Sequence, residues 1–190
     1  MQGKAELRRD LRRRRREHVA SLDERVRALL FMRPPGAALD LVPQGSVIGL
    51  YHAAAEEAPA TRYAQYFQEA GHDIALPRFD AEGAAMQFAR HSDPLGSSDL
   101  EPGPYGVMQP PAEAELLQPD VLFVPMLGFT ERGERIGQGG GHYDAYLADH
   151  PGIIPIGLAW DVQRVDDMPG EAHDIAMRAI ITPTRLYGPF

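Results

Sequence analysis

The segment Arg135-Ile-Gly-Gln-Gly-Gly-Gly-His-Tyr-Asp144 is the densest concentration of chemistry-bearing residues in the chain. Glycines at 137, 139, 140 and 141 allow a tight turn whose backbone amides can approach a ligand closely. Amides grouped at a helix N-terminus bind phosphate through direct donors and the helix dipole. Arg135 adds a permanent positive charge with a fork that matches phosphate oxygens. Asp144 falls just inside the predicted helix, where a carboxylate suits Mg²⁺ carrying nucleotide phosphates. The segment lacks the Gly-Lys-Ser/Thr of a Walker A loop and the spacing of a Rossmann fingerprint. A plain surface turn has a similar composition, so both readings stand at this point.

The elements around this turn set its context. Residues 4–19 read as a basic N-terminal helix with Leu7 and Leu11 on one face. Ser21-Leu-Asp-Glu24 has the form of a capping box and predicts a second helix from Leu22 to Met32, stopped by Arg33-Pro-Pro-Gly36. Ser46–Tyr51, Ile74–Leu76, Ala85–Ala89, Val121–Met126, Ile153–Ala159 and Ala179–Thr182 read as strands. Pro59–Ala70 and Tyr143–Ala148 read as helices, and 91–112 as a long loop rich in Ser, Pro and Gly. Strands alternating with helices predict an α/β fold: a single domain, 1–190, with a central, mostly parallel mixed sheet flanked by helices.

Composition limits the function classes. The 190 residues include no cysteine, which excludes disulfides, thiolate metal sites and cysteine nucleophiles. No apolar run approaches the ~20 residues of a membrane helix, and the start lacks a secretory pattern, so a cytoplasmic location is expected. Residues 1–35 carry eleven Lys and Arg against five acids, within a total net charge of -8. The rest of the chain is therefore strongly acidic, which disfavours general nucleic-acid binding on electrostatic grounds. The run Arg12–Arg16 reads as a solvated helix face, without the interleaved aromatics that stack on bases. His142 and His173 have no third ligand at a recognised zinc spacing.

The glycine segment and its surroundings resemble the 5-formyltetrahydrofolate cyclo-ligase family. The resemblance rests on Pro125-Met-Leu-Gly-Phe-Thr130 followed by Gly133-Glu-Arg-Ile-Gly-Gln-Gly-Gly-Gly-His-Tyr-Asp144. It extends to Lys4-Ala-Glu-Leu-Arg8, Tyr51–Glu57, Gly71–Pro77, Tyr105-Gly-Val, Gly157–Gln163 and Pro169–Asp174, and so spans nearly the whole chain. Thr130 stands where the family usually has Asp, His142 where it has Tyr, and Arg178 where Asp is common. Gln138 occupies a position that is often aromatic or basic. An extra residue near Ala60 leaves both Glu56 and Glu57 open as the folate contact, with Glu57 preferred.

The resemblance implies ATP-dependent cyclisation of 5-formyltetrahydrofolate to 5,10-methenyltetrahydrofolate, with ATP and Mg²⁺ as cofactors and the monomer as the working unit. It implies ATP contacts from Lys4, Arg8, Arg135, Gly137, Gln138, Gly139, Gly140, Gly141, His142 and Tyr143, with Arg135 and Lys4 catalytic. It places His52, Glu57, Tyr105 and residues 138–142 on the folate, and Asp144 and Asp174 on the metal. His52 also reads as a packed strand-end residue, Tyr105 as a structural loop residue, and Asp174 as a turn acid. Two alternatives remain: a non-catalytic folate- or nucleotide-binding module of the same fold, and an RNA-associated protein acting through Arg12–Arg16.

Overall fold

Runs rich in Val, Ile, Leu and Phe assemble into a seven-stranded sheet in the computed structural model, which describes residues 3–171 and 174–190. In chain order the elements are α1 (Lys4–Ser21), α2 (Glu24–Leu29), α3 (Gly36–Leu39), β1 (Val47–Gly49), α4 (Thr61–Glu69), β2 (Asp73–Arg78), β3 (Gln87–Arg90), β4 (Glu101–Pro102), β5 (Met108–Gln109), β6 (Val121–Pro125), β7 (Gly128–Phe129), β8 (Arg135–Ile136), α5 (His142–Asp149), β9 (Ile154–Leu158), β10 (Ala179–Ile181) and β11 (Leu186–Tyr187). A short 3₁₀ turn spans Asp161–Gln163. The sheet order is β11-β10-β9-β6-β1-β2-β3. The strands from β10 to β2 pair in parallel, and β3 and β11 close the two edges antiparallel. This is the mostly parallel mixed sheet that the strand–helix alternation predicts.

Period-two alternation sends neighbouring residues of each strand to opposite faces. Ile48, Leu50, Ile74, Leu76, Val121, Phe123, Ile156 and Leu158 face one core, together with Tyr63 and Phe67 of α4 and the fully buried Trp160. Ala75, Leu122, Val124 and Ile180 face the other, with Tyr146 and Leu147 of α5. Helices therefore cover both faces. No helix among the described residues is long and apolar enough to cross a membrane. The outer edge of β3 is occupied by the segment 115–117: the Arg90 amide donates to the Glu115 carbonyl (2.8 Å) and the Leu117 amide to the Phe88 carbonyl (3.0 Å).

The long loop 91–112 contains one element that the sequence did not signal, the two-residue ladder of β4 with β5. Two expectations near the N-terminus are corrected. Ser21 still belongs to the last turn of α1, and its hydroxyl donates back to the His18 carbonyl (2.7 Å), as hydroxyls in a helix readily do. Asp23 therefore caps α2 instead, accepting from the Arg25 amide (2.9 Å). That helix ends at Leu29, short of Met32, and buries none of its residues.

The apolar stripe of α1 is narrow: Leu7 and Leu11 pack with Leu127, Ile136 and Met168 in a small cluster of their own. Leu11 is fully buried. Leu11→Ala is expected to destabilise the protein by about 2–5 kcal/mol, through lost transfer energy and a residual cavity. Urea denaturation of the two proteins checks this, and a difference within error would mean that the Leu11 contacts do not hold α1.

Candidate functional site

In an open parallel sheet the ends of strands on either side of a reversal in strand order leave a crevice. Here the chain adds β2 on one side of β1 and β6 on the other, so the reversal lies between β1 and β6. A cavity of about 610 Å³ opens there, within the usual size range of small-molecule sites. Tyr51 and His52 reach it just beyond β1, Pro125 and Met126 at the end of β6, and Pro77 and Phe79 at the end of β2.

The glycine turn forms one wall. β7 and β8 pair as a short hairpin, which delivers Arg135 and Ile136 to the cavity immediately before the turn. Gly139 (φ 115°) and Gly141 (φ 69°) adopt left-handed backbone that other residues take at a cost. The amides of Gln138, Gly139, Gly140 and Gly141 find no hydrogen-bond acceptor among the described residues. Four consecutive unpaired amides leading into α5 make a nest suited to an anion.

Three cations surround this nest. The Arg135 side chain is 3% exposed, and its Nη2 donates to Asp144 Oδ1 at 2.8 Å. Its buried Nε has no partner among the described residues. The same Asp144 oxygen accepts from the Ile175 amide (3.1 Å), which fixes the carboxylate against the chain on its approach to β10. Arg8 donates from Nε to the Gly137 carbonyl (3.1 Å). Lys4 forms ion pairs with Glu171 (2.8 Å) and Asp174 (3.0 Å), which ties the start of α1 to the loop before β10. Burial works against the Lys4 charge, but hydrogen bonds and attraction from Glu171 and Asp174 outweigh it and hold the ammonium pKa above its ordinary 10.5.

The wall next to the turn is aromatic and apolar, and His142, directly after Gly141, belongs to it. Phe79, Tyr105 and His142 form a mutual ring cluster, with centroids 4.9 Å (Phe79–Tyr105), 4.9 Å (Phe79–His142) and 5.3 Å (Tyr105–His142) apart. Gln109 holds the β4–β5 hairpin over the cavity by accepting from the Phe79 amide and donating to its carbonyl, both at 3.0 Å. Met86, Val107 and Met126 complete this side.

The turn after β1 carries the glutamates. Glu57 lines the cavity and accepts from the Ala54 amide (2.9 Å). Glu56 instead faces α1, at 3.1 Å from Arg16 and 3.8 Å from Arg15. Its carbonyl accepts from the Trp160 indole (3.0 Å). Burial first, and the nearby Glu57 charge second, push the Tyr51 and Tyr143 hydroxyl pKa values up, so both remain protonated donors at neutral pH. Tyr51 uses its proton on the Ala58 carbonyl (2.5 Å).

The structure brings every residue singled out for the site to this one cavity: Lys4, Arg8, His52, Glu57, Tyr105, Arg135, residues 137–143, Asp144 and Asp174. Of the glutamate pair, only Glu57 is in the wall. His173 lies outside the described residues. The reading of Arg12–Arg16 as a solvated face holds for Arg13 and Arg16 and is corrected at Arg12 and Arg15. Arg15 is buried, because the helix turns it under the 56–57 turn, and burial lowers its pKa even though Glu57 and Glu56 oppose this. Arg12 reaches the glycine turn at Gln138. Sequence reasoning missed Phe79, Met86, Val107, Gln109 and Met126 as lining residues. The one available signal was position, since Phe79 and Met126 directly follow parallel strands.

The residues present also suit a divalent cation that arrives with phosphates. Asp144 and Asp174 share the cavity wall, and Asp144 Oδ2 has no hydrogen-bond partner among the described residues. No group of three His, Cys, Asp or Glu side chains among the described residues could hold an ion unaided. Two carboxylates plus phosphate oxygens form the donor set Mg²⁺ commonly takes.

A model of the 5-formyltetrahydrofolate cyclo-ligase family matches residues 1–183. The 5-formyltetrahydrofolate cyclo-ligase of Escherichia coli (strain K12) is 41% identical over 70 residues, covering 36% of this chain and 38% of that protein. The one from Mycolicibacterium smegmatis is 33% identical over 129 residues, covering 62% and 63%. The one from Mus musculus is 25% identical over 187 residues, covering 92% and 91%. The chain thus spans well under two thirds of the Escherichia coli relative in that match. The NMR structure of Aquifex aeolicus 5,10-methenyltetrahydrofolate synthetase aligns with a TM-score of 0.76 at 24% identity, over 98% of this chain and 92% of that one. The synthetase from Mycoplasma pneumoniae aligns with a TM-score of 0.66 at 18% identity, over 92% and 97%. At these identities the structural likeness is one of fold.

Two outcomes are expected from the charge pairs. Asp144→Ala leaves the buried Arg135 charge without its partner and should destabilise the protein by up to about 3 kcal/mol in urea denaturation, with Asp144→Asn costing less. The Lys4 pKa is raised on folding, so its contribution is full below the ordinary value of 10.5 and is lost as pH rises through the folded value. Lys4→Met should therefore lower stability by a constant amount between about pH 7 and 9 and by progressively less in more alkaline solution. A deficit that stays constant up to the alkaline limit would contradict the ion-pair account.

Proposed function

Because the chain belongs to the 5-formyltetrahydrofolate cyclo-ligase family, we propose that it uses ATP to convert 5-formyltetrahydrofolate to 5,10-methenyltetrahydrofolate, releasing ADP and phosphate. The observation that carries this reading is that a single cavity joins four amides, unpaired among the described residues, and three cations to an aromatic and apolar wall. Such a site suits a polyphosphate and a planar ring held side by side, which the transfer of a phosphoryl group between them requires.

Phosphoryl transfer depends on positioning and charge neutralisation more than on a nucleophilic side chain. The amides of residues 138–141 cradle the triphosphate, and Arg135, Arg8 and Lys4 surround it. Lys4 and Arg135 reach the transferring group and neutralise the charge that develops on its oxygens. Mg²⁺, held by Asp144 and Asp174 with the phosphates, supplies further neutralisation when bound. Beside the nest, Tyr105, Phe79 and His142 pack against the pterin, and Glu57 and His52 orient it through its polar edge. The formyl oxygen attacks the terminal phosphorus, and ADP leaves. The N10 lone pair then attacks the activated formyl carbon. The N10 proton and the phosphate depart, and the ring is closed. Exclusion of water by the overhanging β4–β5 hairpin protects the activated carbon from hydrolysis.

Thr130 and His142 depart from the family pattern, which keeps a non-catalytic binding module as the second reading. Thr130 is fully buried and donates to Glu134 (2.6 Å), so it serves the β7–β8 hairpin and does not contact the cavity. The test follows methenylfolate absorbance with purified protein, 5-formyltetrahydrofolate, Mg²⁺ and ATP, omitting each in turn. Absorbance should grow only in the complete mixture. Arg135→Ala should lower kcat/KM by about 100-fold or more, while Arg13→Ala, whose side chain pairs with Asp10 and Glu17 on the solvent side, should not change it. Ligand-induced thermal stabilisation without turnover would transfer the assignment to the binding module.

A further inference from the structure

Lys4, Arg8 and Arg12 follow one another at four-residue steps, so α1 presents them on one face, and that face lies along the glycine turn. Arg12 is half-buried and does not line the cavity. Its Nη2 donates to the Gln138 carbonyl (2.9 Å), and its Nε donates to Gln138 Oε1 (3.2 Å). One guanidinium fork therefore grips both the backbone and the side chain of a single residue. Arg8 grips the preceding carbonyl, that of Gly137.

In a planar trans peptide the carbonyl and the next amide point in opposite directions. Holding the Gly137 and Gln138 carbonyls towards α1 therefore turns the amides of Gln138 and Gly139 away from α1. Within residues 137–141 only Gln138 has a side chain that another group can hold. Gly139, at φ 115°, has no steric preference that would set its own amide. Without the grip, ordering this turn around a ligand would cost backbone entropy at each glycine.

We propose that Arg12 is a positioning residue that presets the Gly139 amide, through Gln138, for a polyphosphate ligand. This rests on the reading of the cavity as a nucleotide site. It separates Arg12 from its neighbour Arg13, which among the described residues pairs only with Asp10 and Glu17 of the same helix.

Calorimetric titration of ATP with Mg²⁺, and separately of inorganic tripolyphosphate, measures binding without turnover. Both are run on the full chain without folate. Arg12→Ala should weaken both ligands about tenfold. Arg12→Lys keeps the charge but not the fork and should be weakened nearly as much. Gln138→Ala should lose part of the affinity, and combining it with Arg12→Ala should cost little beyond Arg12→Ala alone, because the two act as one unit. Arg13→Ala should bind like the wild type. In the absorbance assay, Arg12→Ala should raise the KM for ATP by a similar factor while kcat changes less than twofold. Wild-type affinity in Arg12→Ala overturns the proposal. Full recovery in Arg12→Lys overturns it as well, since charge alone would then suffice. Additive losses in the double variant exclude action through Gln138. Failure of the wild type to bind either ligand would overturn the nucleotide reading and this inference together, an outcome distinct from unaltered binding by the variants.

Discussion

Leu7 and Leu11, with Val19 and His18 further along, hold α1 against the body of the protein, and the charge arrangement of the cavity depends on that grip. A helix carrying Lys4, Arg8, Arg12 and Arg15 along adjacent turns repels itself and gains little from burial. Leu7 and Leu11 provide a narrow apolar seam, and the basic side chains then find acceptors on three different loops. Glu171 and Asp174 receive Lys4, the Gly137 and Gln138 carbonyls receive Arg8 and Arg12, and Glu56 stands opposite Arg15 and Arg16. The helix orders the loops and the loops neutralise the helix, so the two are stable only together.

The sheet determines where this assembly sits. Parallel strands that reverse order between β1 and β6 leave their C-terminal ends splayed, and the loops emerging there cannot pair with one another as neighbouring strands do. The β7–β8 hairpin, the turn after β1 and the β4–β5 hairpin fill the rim. Each contributes a different kind of surface: cationic, carboxylate and aromatic. Arg135 links the β7–β8 hairpin to the approach to β10, because Asp144 at the start of α5 also receives the amide of Ile175 there.

Much of this was legible in the residues. Alternation of β-branched runs with amphipathic helices specified the parallel sheet. The glycines at 137–141 with Arg135 and Asp144 pointed to an anion site or to a plain surface turn, and the structure puts all of them in the wall of one cavity. The family resemblance drew Lys4, Arg8, His52, Glu57, Tyr105 and Asp174 into the same site, although they are far apart in sequence. What remained hidden depends on tertiary closure. Arg12 and Arg15 read as solvated because a run of arginines carries no sign of which turn faces a partner. Phe79, Met86 and Met126 look like ordinary core residues until the strand ends that carry them are placed. The capping of α2 turned on competition between Ser21 and Asp23, and the outcome rested on where α1 happens to stop.

The covering of β3 affects how the molecule behaves among copies of itself. A sheet with an open margin offers a row of unused donors and acceptors, onto which a strand from another chain can add and begin a growing array. Here the segment 115–117 already takes hydrogen bonds on that side, and Arg90 spans Asp73 and Glu115 across it, placing a desolvation cost on any incoming backbone. On the β3 margin the backbone groups that a strand of a second copy would need are thus already taken.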